Sequence, residues 1–423
     1  MDDVRSRCRP RWTEEEPGLL NEAVLHTAEN TAKQEEILAS EDLHTSGAYG
    51  KRPLAIVSAE GAHLIDAAGN EYIDMVGGHG VCLLGHRHPA IQEAINQQAD
   101  RIITCPEIFY NDQRARLYES LQAHLAPRFG RYFLCNSGTE AVEAAFKLVR
   151  ALTGRSGIIA MKGCFHGRTL GALSATWRPK YREPFEPLVP GFEHIPFNDL
   201  EAAQAAVNDS TAAVIVELIQ GEGGINPIEN EFLHGLRSLC SERGALLIFD
   251  EIQTGLGRTG RWFCYQHHDV IPDLICLGKG IAGGLPMGTL AWRSDLGTYP
   301  AHTHGSTFGG NPLVCAAANA TLQVLEEERL PERAAEIGER FLAELRSIEH
   351  PLVREVRGRG LMIGIDLRRR STPVLQTMAE NGVLALPAGT TVVRLLPPLS
   401  ITEQDLERAR TVLMDALEEV YSD

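Results

Sequence analysis

RYFLCNSGTEAVEAAFKLVRALTG, residues 131–154, holds a strand, a tight polar turn and a helix in one short stretch. The aromatic and apolar run before Asn136 reads as a strand. Ser137, Gly138 and Thr139 follow as a turn, and Val142, Ala145, Phe146 and Val149 then recur at helical spacing. The same order of apolar strand and glycine-containing turn returns in SGIIAMKGCFHGRT (156–169), AAVIVELIQGEGG (212–224), ALLIFDEIQTGLG (245–257) and DLICLGKGIAGG (273–284). Such repetition predicts an α/β fold: a mostly parallel central sheet covered by helices on both faces, with ligands bound at the carboxyl ends of the strands.

Outward from this centre the pattern changes. Residues 1–47 are polar and acid-rich and read as an N-terminal arm with some helix. LAIVSAEGAHLIDAAGNEYID, near 54–74, alternates like hairpins around the turn signals EG and GN, so 48–80 is expected to be the first part of a small domain. The large domain is expected over 81–318. Beyond it a long amphipathic helix, strands around VRGRGLMIGIDL and VVRLLPPL, and a last helix predict an α+β C-terminal part over 319–423.

Composition narrows the partners. A formal charge of −16 with no long basic run argues against nucleic acid, and no apolar run approaches the roughly 20 residues a membrane helix needs. The first residues, MDDVRSRCRPRWTEEEPG, carry no apolar core of a signal peptide, so the cytoplasm is the expected compartment. The nine cysteines lack paired spacing and are expected to be free thiols. Cys264, His267 and His268 lie close in sequence, but no second ligand pair accompanies them, and no metal is expected.

Three strand ends carry chemistry. Ser137, Gly138 and Thr139 at a helix start can seat a phosphate on backbone N–H groups and hydroxyls; the same residues also fit an ordinary capping box from Ser137 to Glu140. Asp250 ends an apolar strand, where it is either a structural acid satisfied by backbone or the holder of a proton on a ring nitrogen. Lys279, between Gly278 and Gly280, is either a solvated loop charge or a nucleophile. Together the three match what pyridoxal 5′-phosphate requires: an anion seat, an acid for the pyridine nitrogen and an amine for the aldehyde. GKGIAG (278–283) also satisfies the dinucleotide pattern G-x-G-x-x-G. Gly284, Pro286 and Gly288 interrupt the helix that must follow, which argues against an NAD-dependent oxidoreductase.

With NSGTEA, GCFHGRT, QGEGG, DEIQTGLGRTG, LGKGIAGG, THGSTFGGNP and RLLPPL in this order, the chain resembles the class III, fold type I pyridoxal-phosphate aminotransferases, the group of acetylornithine and ornithine aminotransferases. The resemblance covers nearly all of 48–415. It implies a homodimer with shared sites, Lys279 as the lysine bonded to the cofactor, Asp250 as the pyridinium partner and Gln253 at the ring oxygen. It further implies Phe165 on the ring face, and a phosphate held by Gly138 and Thr139 with Thr307 of the neighbouring subunit. Glutamate, the expected amino donor, has two carboxylates. By resemblance Arg394 takes the α-carboxylate, Arg168 the distal one, and Glu222 pairs with Arg394 when an ω-amine is bound. Residues 47–81 and 176–192 look most like the acetylornithine branch, closer still to enzymes acting on lysine or ornithine carried by a small acidic amino-group carrier protein. Gly77 and Gly78 are expected to leave the entrance open for a substrate blocked at its α-amine. The implied reaction passes an ω-amine to 2-oxoglutarate, in arginine or lysine biosynthesis. Free ornithine, 4-aminobutyrate or another ω-amino acid as substrate, and a pyridoxal-phosphate protein that does not transaminate, stand as alternatives.

Overall fold

The computed structural model describes residues 28–422. They fall into two compact units, residues 28–58 with 65–71, and residues 59–64 with 72–422. In the first, helix Ala28–His44 is followed by a chain segment tied back to it by the 2.7 Å ion pair of Lys51 with Glu41. The expected arm is thus helical in its second half; its residues 1–27 lie outside the described residues.

The second unit is built on a seven-stranded sheet: β1 Phe129–Cys135, β2 Gly157–Met161, β3 Phe192–Ile195, β4 Thr211–Val216, β5 Leu246–Asp250, β6 Leu274–Leu277 and β7 Gly288–Arg293. Their spatial order is β1-β7-β6-β5-β4-β2-β3. The pairs among β6, β5, β4, β2 and β3 are parallel, and β7 runs antiparallel to both β6 and β1. The mostly parallel sheet expected from the repeat is therefore present. Every residue of β4 and β6 is buried, the reason these strands read as continuous apolar runs and not as alternation. Helix Gly138–Thr153 packs on β7 and β6 through its buried Val142, Ala145, Phe146 and Val149, the four residues whose spacing marks it in the sequence. Burying each of the larger ones stabilises the fold by roughly 1.5–3 kcal/mol before entropy is counted.

A second sheet, order β8-β9-β11-β10, is fully antiparallel and comprises β8 Val353–Arg359, β9 Met362–Leu367, β10 Leu386–Ala388 and β11 Val392–Leu395. It carries Arg394 opposite Gly364 of β9 and Leu386 of β10. Near the chain's start, Ile73 and Asp74 pair in parallel with Val383 and Leu384, so residues distant in sequence complete one small sheet.

The order β6-β5-β4-β2 decides where chemistry falls. It sets side by side the ends that lead into Lys279, into Asp250, into Glu217 and, through the turn after Met161, into Phe165.

Candidate active site

At these strand ends lies a cavity of about 210 Å³, lined by Gly138, Thr139, Phe165, Glu222, Asp250, Gln253 and Lys279 among others. Seven residues singled out in the sequence thus meet in one place. Lys279 opens a short 3-10 turn with a left-handed φ of 47°, a conformation that costs a non-glycine residue energy and marks a position held by its surroundings. Burial, only partly offset by Glu222, lowers its amine to about 8. The flanking glycines have a specific cause. A Cβ at Gly280 would come within 2.2 Å of Leu83, and one at Gly278 within 3.2 Å of the Gly138 Cα. The strand end bearing the lysine and the turn of the anion seat therefore touch backbone to backbone.

Ser137 caps helix Gly138–Thr153, its hydroxyl accepting from the Glu140 amide at 3.3 Å and donating to the Glu140 carboxylate at 3.0 Å. The expected capping box is half formed, because the Glu140 carboxylate takes the Asn136 amide at 2.8 Å and not that of Ser137, and the cap leaves the cavity to Gly138 and Thr139. Amides of a helix's first turn have no carbonyl one turn back, so this end offers donors to an anion. The fit with Ile252 is tight: a Cβ at Gly138 would lie 2.7 Å from its Cδ1.

Asp250 is buried, with one oxygen accepting from the Ile252 amide at 3.1 Å and the other 2.7 Å from His166 Nδ1. Burial disfavours a charged imidazole here, but Cys164 and the bonded Asp250 outweigh it and raise His166 well above the ordinary value. Its other ring nitrogen, Nε2, is buried without a partner. Phe165 lines the cavity with its ring edge-on to Tyr181, and the guanidinium of the exposed Arg168 lies 5.8 Å from the Phe165 centroid and 5.1 Å from that of Tyr181.

Arg394 is 1% exposed and bonds Glu222 through Nη1, which also donates to Gln253 Oε1 at 3.3 Å. Burial of Glu222 would raise its pKa, yet the Arg394 charge and bond hold it below the usual carboxylate range. Its turn, Gly221–Gly224, is fixed by Arg178, which donates to the Glu222 carbonyl at 2.7 Å, and by Arg357 on the Gly224 carbonyl. Thr307 is exposed in the loop before Gly309 and does not line this cavity; its neighbour Ser306 accepts from Asn136 at 3.1 Å.

Gly77 is glycine for a reason other than an open entrance. It has φ 54°, and a Cβ there would sit 2.3 Å from the Leu396 carbonyl oxygen, while Gly78 is exposed beside Cys82. The next residue, His79, is also left-handed, and its lowered imidazole responds, after burial, to Arg394, Glu222, Lys279 and Arg168. His79, His166 and Glu217 were all missed in the sequence. Glu217 had a readable signal, since it directly follows the apolar strand β4, much as Asp250 closes β5. Cys264, His267 and His268 do not converge: Cys264 is buried, His267 is 2.9 Å from the Thr259 carbonyl and His268 is 2.6 Å from Asn230. The eight cysteines among the described residues are free thiols.

The family model for class-III aminotransferases matches residues 46–417. Acetylornithine aminotransferase of Methanopyrus kandleri is 48% identical over 380 residues, 89% of this chain and 97% of that protein. [LysW]-aminoadipate semialdehyde transaminase of Deinococcus radiodurans is 46% identical over 375 residues, 88% of this chain and 87% of that one. Among solved structures, an ornithine aminotransferase from Toxoplasma gondii superposes with a TM-score of 0.88 at 34% identity, covering 92% of this chain and 95% of its own. A match over most of the length, on a sheet whose strand ends gather this set of residues, means that the chain belongs to the class-III aminotransferases.

Proposed function

We propose that this protein is a pyridoxal-phosphate-dependent aminotransferase that moves the ω-amino group of an α-blocked ornithine or lysine to 2-oxoglutarate, giving a semialdehyde and glutamate. The cavity fits the cofactor. It joins a helix start free of side-chain bulk, a buried Asp250 and His166 pair, an aromatic wall at Phe165 and a lysine lowered to about 8. When bound, pyridoxal phosphate supplies an electron sink and carries the amino group between substrates. Gly138 and Thr139 would hold its phosphate, Asp250 a proton on its ring nitrogen, with His166 supporting that acid, and Gln253 its ring oxygen. Lys279 Nζ, which burial makes easier to deprotonate than an ordinary lysine, would take the proton from the substrate carbon that bears the amine and pass it to the cofactor, with the reverse transfer in the second half-reaction.

The Arg394 and Glu222 pair is the observation that carries the substrate class. A guanidinium suited to a carboxylate, covered by a side chain able to turn away, serves two unlike substrates. Glutamate's α-carboxylate displaces Glu222, whereas an ω-amine with no carboxylate at that point leaves the pair closed, so no buried charge stands alone. Relatives named for acetylornithine and for a carrier-linked semialdehyde, at 48% and 46% identity, favour a blocked α-amine over the free ornithine of the 34%-identical neighbour. An acidic carrier is compatible with the charge of −16 because Arg168, Arg178, Lys180 and Arg182 lie together in the segment beside the cavity.

Two chains complete the site in this reading. Thr307 and Phe308 are exposed, as are Ile108, Phe109 and Tyr110, an apolar surface suited to a second copy that would receive Thr307 at its phosphate seat. Amino transfer to 2-oxoglutarate, measured in parallel from acetylornithine, acetyllysine, carrier-linked lysine and free ornithine, tests the reading. Preference for free ornithine would overturn the blocked-amine assignment.

A further inference from the structure

Glu217 follows β4, the strand between those that lead to Asp250 and to Phe165, and its side chain is buried at the wall of the cavity. Each of its two oxygens takes a backbone amide from a different turn. Oε2 accepts from Phe165 N at 3.0 Å, and Oε1 from Gly221 N at 3.1 Å. These are the turns that carry the aromatic wall and Glu222. Farther from the cavity the same two turns touch again, where Gln220 Nε2 donates to the Lys162 carbonyl at 2.8 Å and a Cβ at Gly223 would lie 2.5 Å from the Gly163 carbonyl oxygen. Glu217 is thus the inner tie of a two-turn layer whose outer tie is Gln220.

We propose that Glu217 is a positioning residue for both half-reactions, a carboxylate clip that keeps Phe165 and Glu222 in fixed relation across the cavity. The proposal rests on the functional reading above. A mere structural acid does not need to face the cavity, and a proton-transfer group would not have an amide on each oxygen. Burial and the nearby Asp250 push Glu217 up to about 7 against the opposing charge of His166, so its anionic form is held at some cost in order to accept two amides. The clip makes Glu217 unlike Glu222, which faces one substrate and not the other.

The test is Glu217→Gln in the holoenzyme, which keeps the volume but sets an NH₂ against one of the two amides. Both half-reactions should slow together, roughly ten- to hundredfold, as expected when an aligned group shifts by a fraction of an ångström to an ångström. The visible circular dichroism of the bound cofactor should weaken, because the ring face is no longer held. Unchanged dichroism with unchanged half-reactions in folded protein overturns the proposal, as does slowing confined to the ω-amine half. Should the variant not fold, amide exchange in the wild-type holoenzyme decides. Phe165 and Gly221 should exchange with a common opening rate, and unrelated rates refute the clip. Dichroism and exchange need no amino substrate, so a wrong substrate assignment leaves this test intact.

Discussion

Within DEIQTGLGRTG, residues 250–260, four polar and charged side chains part into two regions. Asp250 and Gln253 face the cavity, while Glu251 and Arg258 lie behind it. Asp250 and Glu251 are adjacent, 5% and 1% exposed, and chemically alike. Asp250 meets the His166 side chain; Glu251 accepts the Cys264 and Tyr265 amides at 2.6 and 2.7 Å. The arginines repeat the contrast. Arg394 is paired with the Glu222 carboxylate, whereas Arg258, fully buried, donates to the Leu361 and Pro397 carbonyls and is lowered to about 9 by burial. At the cavity Asp250 and Arg394 have side-chain partners, His166 and Glu222, whereas behind it Glu251 and Arg258 are held by backbone. Burial alone therefore does not separate a reacting group from a structural one. For these four groups the kind of partner does.

The sharpest division is expected at Lys279. Lys279→Ala should reduce turnover below detection while the circular dichroism of the fold stays unchanged, since the residue contributes an amine and little packing. Activity near wild type would break the cavity side of the comparison at its centre. Asp250→Asn comes next. Without a carboxylate to hold the ring proton, kcat should fall by about 10³ or more, with a melting temperature close to the wild-type value. A loss of stability with kcat retained would move Asp250 into the region of Glu251.

The proposed displacement of Glu222 by a substrate carboxylate predicts asymmetry between half-reactions. Arg394→Ala should slow the glutamate half by roughly 10²-fold or more, the cost of losing a buried charged contact to the substrate carboxylate. Glu222→Ala should slow the ω-amine half by roughly ten- to hundredfold, because Arg394 is then left buried and unpaired, and should preserve or speed the glutamate half. Rapid mixing with each substrate separates the two. Equal slowing by Glu222→Ala would place that residue with the backbone-held group.

How much of this was legible before the structure depended on whether a role is local. Lys279, Asp250 and the Gly138 and Thr139 turn stand at ends of strands that announce themselves by apolar runs, and strand ends in a parallel sheet converge whatever the loops do. Side-chain direction is not local. Nothing in FHGRT says that His166 turns inward onto Asp250 while Arg168 stays exposed over Tyr181. Glu217 carried the same strand-end signal as Asp250, but its use became visible only when two turns separated by more than fifty positions were seen to share it. Glycines were legible as requirements and not as reasons: Gly280 makes room for Leu83 and Gly77 for the Leu396 carbonyl.

The smallest effect on catalysis should come from Glu251→Gln, and its signature is in stability and pH. Burial is the main cause that pushes Glu251 up to about 8 from the ordinary 4.5, against the two amides that favour its anion. An acid whose folded value is raised binds its proton more readily in the folded state. Its contribution to stability is therefore complete below about pH 4.5 and is lost as pH rises through about 8. Wild-type melting temperature should decline between pH 5 and 9, and Glu251→Gln, which carries no titrating proton, should flatten that decline. The amide also meets one backbone N–H with an NH₂, so the variant should be about 1–3 kcal/mol less stable at pH 5 with kcat within about twofold. A change in kcat comparable to that of Asp250→Asn, or an undiminished slope of melting temperature against pH, would show that the backbone-held acid is not confined to structure and that the division along 250–260 fails.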